Sequence, residues 1–556
     1  MPTAAVRRPG GIERDMAESS FLQSVAAQES LERKSNFSLL EQLIDLADQA
    51  AKLPQDSGRQ SEAGLLSDAS LAATLRLWAA ARVGLGIHLS RDALVRLIGQ
   101  DVAAIDSLIQ RQVDAVLHAP DFQRLEASWR GLEWLARQVE EANIDSGKKS
   151  NARSQIQIRV LSVTKRELQR DQESAVEFDR SAFWRKIYEE EFGTAGGTPY
   201  GLLVTDHEFS HHPDDVRMLA GLSETAMAAY APLLATPSPA LLGIDSFTGF
   251  ESLPPLQETQ ATQSFLKWRA LREREESRFV GMPMPRVLAR RGYDGWIGRP
   301  DAHAAIEHSW SNRSFRYVEQ TDLADGSGRL WMSGVWPLAG VIVREFGRSG
   351  WFADIRGGSR GSQIGGEVVD LPVDTFPGAE TTAIYRGPTE TSLSASLQDE
   401  IDHAGLIPLS ATGHDGRAVF HSNMSLHKPK QFDSSRATAN ERLSSMLQYV
   451  LCVSRFAIYL KILLRDKLGG VTEASKLEHF LNEWIHRYVT PDDQASPEAR
   501  ARMPLRAAEI EVQEDPGTAG NCRVVMRLQP HFQIDRIDST LRLVSTVRLL
   551  DRDVGK

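Results

Sequence analysis

Cysteine is nearly absent: Cys452 and Cys522 are the two thiols among 556 residues. A disulfide-stapled scaffold is thereby excluded, and so is a C-x-x-C redox or zinc motif. Positive charge is also scarce, with 64 Lys and Arg against 74 Asp and Glu and a net charge of −10. A surface that tracks phosphates needs a local excess of cations, so nucleic acid is not expected as a partner. The cluster Arg286, Arg290, Arg291 is too short for such a track and reads as a solvated helix face or an ion-pair site. No N-terminal stretch joins a basic start, an apolar run and a small-residue cleavage site, which leaves a cytoplasmic protein as the expectation.

Catalytic groupings are equally thin. His207, His211 and His212 crowd one stretch, and the first two are four apart, but Pro213 points to a turn. A loop of exposed histidines is a simpler reading than a metal site. The glycines from Gly357 to Gly366 have no Lys-Ser or Lys-Thr after them, and EVVDLPV beyond reads as extended. A surface loop is expected there and not a phosphate cradle. His414-Asp415 lies in a turn sequence, TGHDGR. No cofactor, no metal and no catalytic residue is nominated.

What is present is an ordinary globular composition, 41% hydrophobic and 25% charged. Length alone allows three to four domains of about 150 residues. The strongest helical signal runs from Asp433 to Gly470. Met446, Val450, Val453, Ala457, Leu460 and Leu464 share one face, with Ser444, Ser445, Gln448, Arg455 and Arg465 on the other. Ser, Thr and Asn at its start and Gly469-Gly470 at its end mark the limits of one helix, about 45 Å long. Arg455 and Lys461 fall inside its apolar stretch, where hydrocarbon would penalise them, so a core helix is expected and no membrane insertion.

Before that helix the pattern changes once. Residues 1–20 are polar and read as disordered. Ser20 and Gln23 have capping-box spacing and open a short helix whose stripe is Phe21, Leu22, Val25 and Ala26. Such a stripe either docks on its own domain or is offered to a groove on another protein. Helices follow over 36–52 and 65–100, then a helical pair over 101–140 broken at Ala119-Pro120. From Gln155 strands alternate with helices: strands at 156–163, 199–206 and 240–245, a helix over 165–193 and another over 213–231. A helix over 331–346, a strand WFADIRG and a pair of short strands in 407–423 complete that part. Three strands close the chain, at 509–515, 522–530 and 539–550. The last sets Leu541, Leu543 and Val547 on one side, and so apolar an edge invites association. The fold class is α/β (mixed α+β), with a helical N-terminal region ahead of the sheets. The expected division is a tail with its short helix (1–35), a helical region (36–150), an α/β core (151–470) and C-terminal strands (471–556).

Several segments in order resemble one family. HAPDFQRLEASWRGLEWLA (118–136) is similar to its H-P-x-F-Q-x-L-E-x-x-W-R-G-L. EFDRSAFWRKIYEEEFGTAGGTPYGLLVTDHEFSHHPDDVRML (177–219), SPALLGIDSF (238–247) and KWRALREREESRFVGMPMPRVLARRGY (267–293) follow. GLIPLSATG (405–413), the stretch 428–469 and PLRAAEIEVQEDPG with LQPHFQIDRIDSTLRLV complete the set. The chain is identified by these as a member of the TssC/VipB family, the large subunit of the type VI secretion contractile sheath, related to phage tail sheaths. Departures are the extra helical segment at 65–100, Gly292 where the family has proline, and PMPRV in place of T-L-P-R-V.

The resemblance implies a phage-tail-sheath-like core and a structural role without enzymatic activity. It implies pairing of 36–150 with a small sheath subunit (TssB/VipA-like), stacking with copies of itself around an inner tube protein (Hcp-like), and contact with a baseplate. It implies disassembly by a AAA+ unfoldase (ClpV-like), with Phe21, Leu22 and Val25 as the candidate contact although SFLQSV lacks the family's acidic residue. Leu541, Leu543 and Val547 mark the candidate inter-subunit strand. Two alternatives stand beside this reading: a cytoplasmic α/β enzyme using the glycine-rich loop, and a non-contracting adaptor or baseplate component.

Overall fold

The computed structural model describes Trp78 and the chain from Ser90 to Arg548, apart from 150–155, 195–196, 248–252, 294–314, 316, 322–327, 353, 358–364, 378–382, 412–415, 468–473, 493–494, 515–520 and 532–540. Two compact units result, Met1–Ile109 and Gln110–Lys556. In the first, the Trp78 indole donates to Asp101 at 3.0 Å, on the long helix α1 (Arg91–Leu117). No residue of α1 is buried. The expected helices at 20–31 and 36–52, with Phe21, Leu22 and Val25, lie outside the described residues.

Proline at its first position starts α2 (Pro120–Lys149), where the missing N–H costs nothing, so the break at Ala119-Pro120 stands as read. Residues 156–163 join no sheet among the described residues. The next helix is α3 (Lys165–Ser174), closed at its start by a capping box between Thr164 and Glu167. It does not run on to 193. The Asp171 carboxylate accepts from Ala182 and Phe183 N–H at 2.8 and 2.9 Å, so it caps a second helical segment, 182–192, while α3 stops.

β1 (Leu203–Phe209), α4 (Pro213–Ala229) and β2 (Leu233–Pro237) form a parallel crossover, and β3 (Val280–Gly281) adds beside β2. The strand therefore sits at 233–237 and not at 240–245. Pro239 starts a 3-10 turn through Leu242 instead. Phe209, Leu219, Leu222, Leu233, Leu242 and Trp268 fill the core beneath this sheet.

A second sheet runs β4 (Pro283–Met284), β10 (Ile407–Ala411), β11 (Ala418–Phe420) and β7 (Glu367–Val368), so the expected pair in 407–423 is an antiparallel hairpin. Two small ribbons flank it, β5 (Val287–Leu288) with β6 (Trp331–Met332) and β8 (Asp374–Pro377) with β9 (Ala383–Arg386). WFADIRG forms no strand over its described residues, although Trp351, Phe352 and Ile355 are buried.

Helix α5 (Val335–Ser349) lies over this second core and runs in the same direction as α2. Glycines set their spacing. A Cβ on Gly131 of α2 would strike the Trp336 ring, one on Gly340 would strike Trp134, and one on Gly347 would sit 2.7 Å from Ala142 Cβ. Three successive positions thus need a residue without a side chain.

The long C-terminal helix is two helices, after α6 (Ala395–His403). They are α7 (Ser435–Ser444) and α8 (Leu447–Lys467). Residues 423–425 cause the break: Ser425 N–H donates to Ser445 O at 2.9 Å, and Leu447 N–H donates to Asn423 O at 2.8 Å. The Ser444 and Ser445 hydroxyls both turn back to Glu441 O at 2.9 Å, competing with the helix ladder. A third core gathers Phe456, Leu460 and Leu464 of α8 against Leu477, Leu481 and Ile485 of α9 (Ala474–His486).

Nor is the polar side of this helical stretch solvated. Ser445 and Gln448 are buried. The Arg455 guanidinium lies 4.2 Å from the Phe346 ring and 4.8 Å from Tyr459, whose hydroxyl it meets at 2.6 Å. Lys461 sits over Tyr188 and Tyr230 at 5.1 and 4.6 Å, and burial lowers its pKa. The stretch Leu447–Arg465 is long and apolar enough to cross a membrane, but most of it is buried inside the protein.

Candidate assembly site

The C-terminal sheet orders β12 (Leu505–Glu514), β13 (Asn521–Pro530) and β14 (Leu541–Arg548), all antiparallel. Val524, Met526 and Leu528, each 0–1% exposed, point to one face and enter the third core, and Val525 between them is buried as well. On the opposite face Arg527 pairs with Glu509 and Glu511, both at 3.0 Å. Register sets Leu541 opposite Leu528, Leu543 opposite Met526 and Val547 opposite Cys522. What β14 presents outward is its second backbone edge, which pairs with no strand among the described residues.

The other edge of the sheet is sealed. Asn482 of α9 accepts from Ile510 N–H at 2.9 Å and donates to Ile510 O at 2.6 Å, the two bonds a neighbouring strand would make. One turn earlier, Glu478 accepts from Val512 N–H at 2.9 Å. At the start of β12, Thr490 N–H donates to Leu505 O at 2.9 Å. Two edges of one sheet are thus treated differently: β12 is closed by groups of its own chain, whereas β14 pairs with no second strand among the described residues.

A second exposed feature lies on the first helices. Along α1, Val95, Val102, Ile105 and Leu108 are 61%, 49%, 54% and 50% exposed. On α2, Phe122, Leu125 and Trp129 form an exposed stripe at steps of three and four, while Trp134, Leu135, Val139 and Ala142 are buried. Each of these two stripes, taken by itself, is an exposed apolar patch of the kind that marks interaction sites.

The basic cluster is an ion-pair site. Arg290 bonds Glu126 of α2 at 2.7 Å and Glu319 at 2.6 Å; Glu319 has 1% of its side chain exposed. Burial alone would lower the Arg290 pKa, but the bonds to both carboxylates outweigh it and hold it raised. Arg286 bonds Glu390 through two nitrogens, each at 2.8 Å. These pairs tie α2 and β5 to the core.

His207-Glu208-Phe209-Ser210-His211 spells the order H-E-x-x-H, which would set two ligands on one helical face. Here His207 to Phe209 belong to β1 and His211 lies in the turn beyond its end, so no helical face brings the two rings together. The His207 ring bonds Val163 O at 3.1 Å, and His211 stacks on Phe265 at 4.2 Å. Among the described residues, no three His, Cys, Asp or Glu gather to hold a metal. Gly357 to Gly361 spells G-x-S-x-G, but residues 358–361 lie outside the described residues, and the next described element is the strand β7, with no helix for a nucleophile elbow.

With this geometry, two family models match the chain. The one described as EvpB/VC_A0108, tail sheath N-terminal domain covers residues 99–427, and the one described as EvpB/VC_A0108, tail sheath gpW/gp25-like domain covers 436–547. Fold and matches define the class, a tail-sheath protein. The type VI secretion system sheath protein TssC1 of Pseudomonas aeruginosa is 35% identical over 460 residues, which are 82% of this chain and 87% of that one. The chain belongs to the TssC/VipB family of type VI secretion sheath large subunits. Its role is structural, in assembly with copies of itself and with a small sheath subunit, and neither the enzyme nor the adaptor alternative is favoured.

Proposed function

We propose that this subunit, in the cytoplasm, pairs with its small partner through the exposed stripes of α1 and α2 and stacks around an Hcp-like inner tube on a baseplate. Contraction then exchanges one packing of the same interfaces for another, since only contacts that differ between two states drive a transition. Phe21, Leu22 and Val25 serve as the site taken by a ClpV-like AAA+ unfoldase afterwards. Neighbouring subunits are linked by strand pairing at β14.

The observation that supports the link is the contrast between the sealed β12 edge and the edge of β14, which pairs with no second strand among the described residues. Main-chain ladders suit the task because they resist pulling while subunits turn. Deleting 539–556 is expected to leave the two-subunit pair soluble and unable to extend into long tubes by electron microscopy. Tubes of normal length from the truncated chain would remove β14 from the link.

A further inference from the structure

Asp101 stands in the apolar stripe of α1. Leu94, Ile98, Asp101, Ile105 and Leu108 follow steps of four and three, so they share one face of the helix. A carboxylate at such a position loses water when another part of a chain packs over it, and a hydrogen-bond donor must offset that loss. A donor comes from the same chain. The indole of Trp78, itself helical and half-buried, donates to Asp101 at 3.0 Å. Burial along α1 follows this contact. Leu94, Leu97, Ile98 and Asp101 are half-buried, whereas Ile105 and Leu108, one and two turns further on, are 54% and 50% exposed. On the other side of the helix, a Cβ added to Gly99 would meet nothing within 4 Å. The stripe is thus divided into a half that the chain covers itself and a half left bare.

We propose that Trp78 is an intramolecular latch, which occupies the first half of the α1 stripe in the lone chain and is displaced when the small sheath subunit docks along that helix. This rests on the sheath reading above, in which α1 receives that subunit. Two segments cannot lie on one face of a helix at once. A partner helix that follows the stripe from Leu108 back to Leu94 has to cross Asp101, where the indole sits. A single polar position within an apolar seam also fixes register between helices, so Asp101 sets where along α1 the indole seats. The latch shields apolar surface before assembly. It also weakens pairing, because apparent affinity falls with the fraction of chains in the open form.

Titrating the purified small subunit onto the full chain tests this, because the sign of the effect separates a latch from a shared contact. Trp78→Ala is expected to tighten binding about tenfold, and Trp78→Phe, which keeps a ring and loses the N–H donor, by less. Weaker binding of Trp78→Ala would make the indole part of the interface, and unchanged binding would leave the first half of α1 outside it. Either result overturns the latch while the sheath reading stands. Dimers of the lone Trp78→Ala chain, with unchanged affinity for the small subunit, would overturn it in favour of a second copy on the stripe. Hydrogen–deuterium exchange of the unsubstituted chain needs no variant. The peptide that holds Trp78 is expected to exchange faster in the pair than in the lone chain, and equal or slower exchange would overturn displacement. Absence of any pair between the two subunits would overturn the sheath reading, and the latch with it.

Discussion

Glu345 is a carboxylate on α5 with only 4% of its side chain exposed. It meets Arg348 at 2.8 Å and the Ser349 hydroxyl at 2.9 Å, with Asp354 nearby as a second acid. Burial outweighs these partners and raises its pKa to about 7. An acid raised in the folded state keeps its proton there while the unfolded chain has already released it. Stability therefore falls as pH rises from about 4.5 to about 7 and stays reduced above, by on the order of 3 kcal/mol at 1.36 kcal/mol per unit. Glu345→Gln is expected to flatten that decline. Urea unfolding of both proteins from pH 5 to pH 8 measures it, and a difference between them that does not change with pH would show that Glu345 titrates normally. Arg455 teaches a related lesson. As a letter in the sequence it marks a polar side of the helix, whereas three rings, Phe346, Trp351 and Tyr459, surround its guanidinium. Partners distant in sequence decide whether a charge is solvated, and periodicity does not contain them.

Among elements, those whose partners are near in sequence were legible. The hairpin β10–β11, the succession of β1 and α4 and the three closing strands follow from alternation and turn residues, whereas the strand that ends the crossover, β2, was expected at 240–245 and lies at 233–237. The break between α7 and α8 was not, because residues 423–425 impose it from outside the helix. Alternation at 156–163 reads as a strand, yet these residues join no sheet among the described residues, since a pattern specifies which faces are apolar and not whether a neighbour exists. Asn482 was invisible as a functional residue, being one amide on an amphipathic helix. Its two bonds to Ile510 give it a testable role. Asn482→Leu keeps the volume and leaves a backbone donor and acceptor on the β12 edge unmatched, at roughly 1–3 kcal/mol. A lower melting temperature and increased light scattering are expected, with Glu478→Ala milder because only one bond is lost. If Asn482→Leu scatters no more than the parent, the edge is protected by something other than this amide.

At the scale of the whole molecule, two kinds of unfinished surface recur, bare strand edges and bare helix stripes. Under the proposed function sheath assembly gives both a purpose, as surfaces for neighbouring subunits. Leu125→Ser with Trp129→Ser is expected to change the stability of the lone chain by less than about 0.5 kcal/mol, as both side chains are exposed. Loss of a buried tryptophan anchor costs an interface about 2 kcal/mol or more, so co-purification of the small subunit should fall at least about thirtyfold. Undiminished recovery would place the small subunit elsewhere. The seam between α2 and α5 adds a constraint on how such a subunit moves. Trp336 seats in the notch at Gly131, and Trp134 seats in the notch at Gly340, so each helix is both key and lock for the other. Sliding by even one residue would drive an indole into backbone. Whatever travels during a contractile stroke, these two helices go together as a single lever, and the give must come from the joints around them.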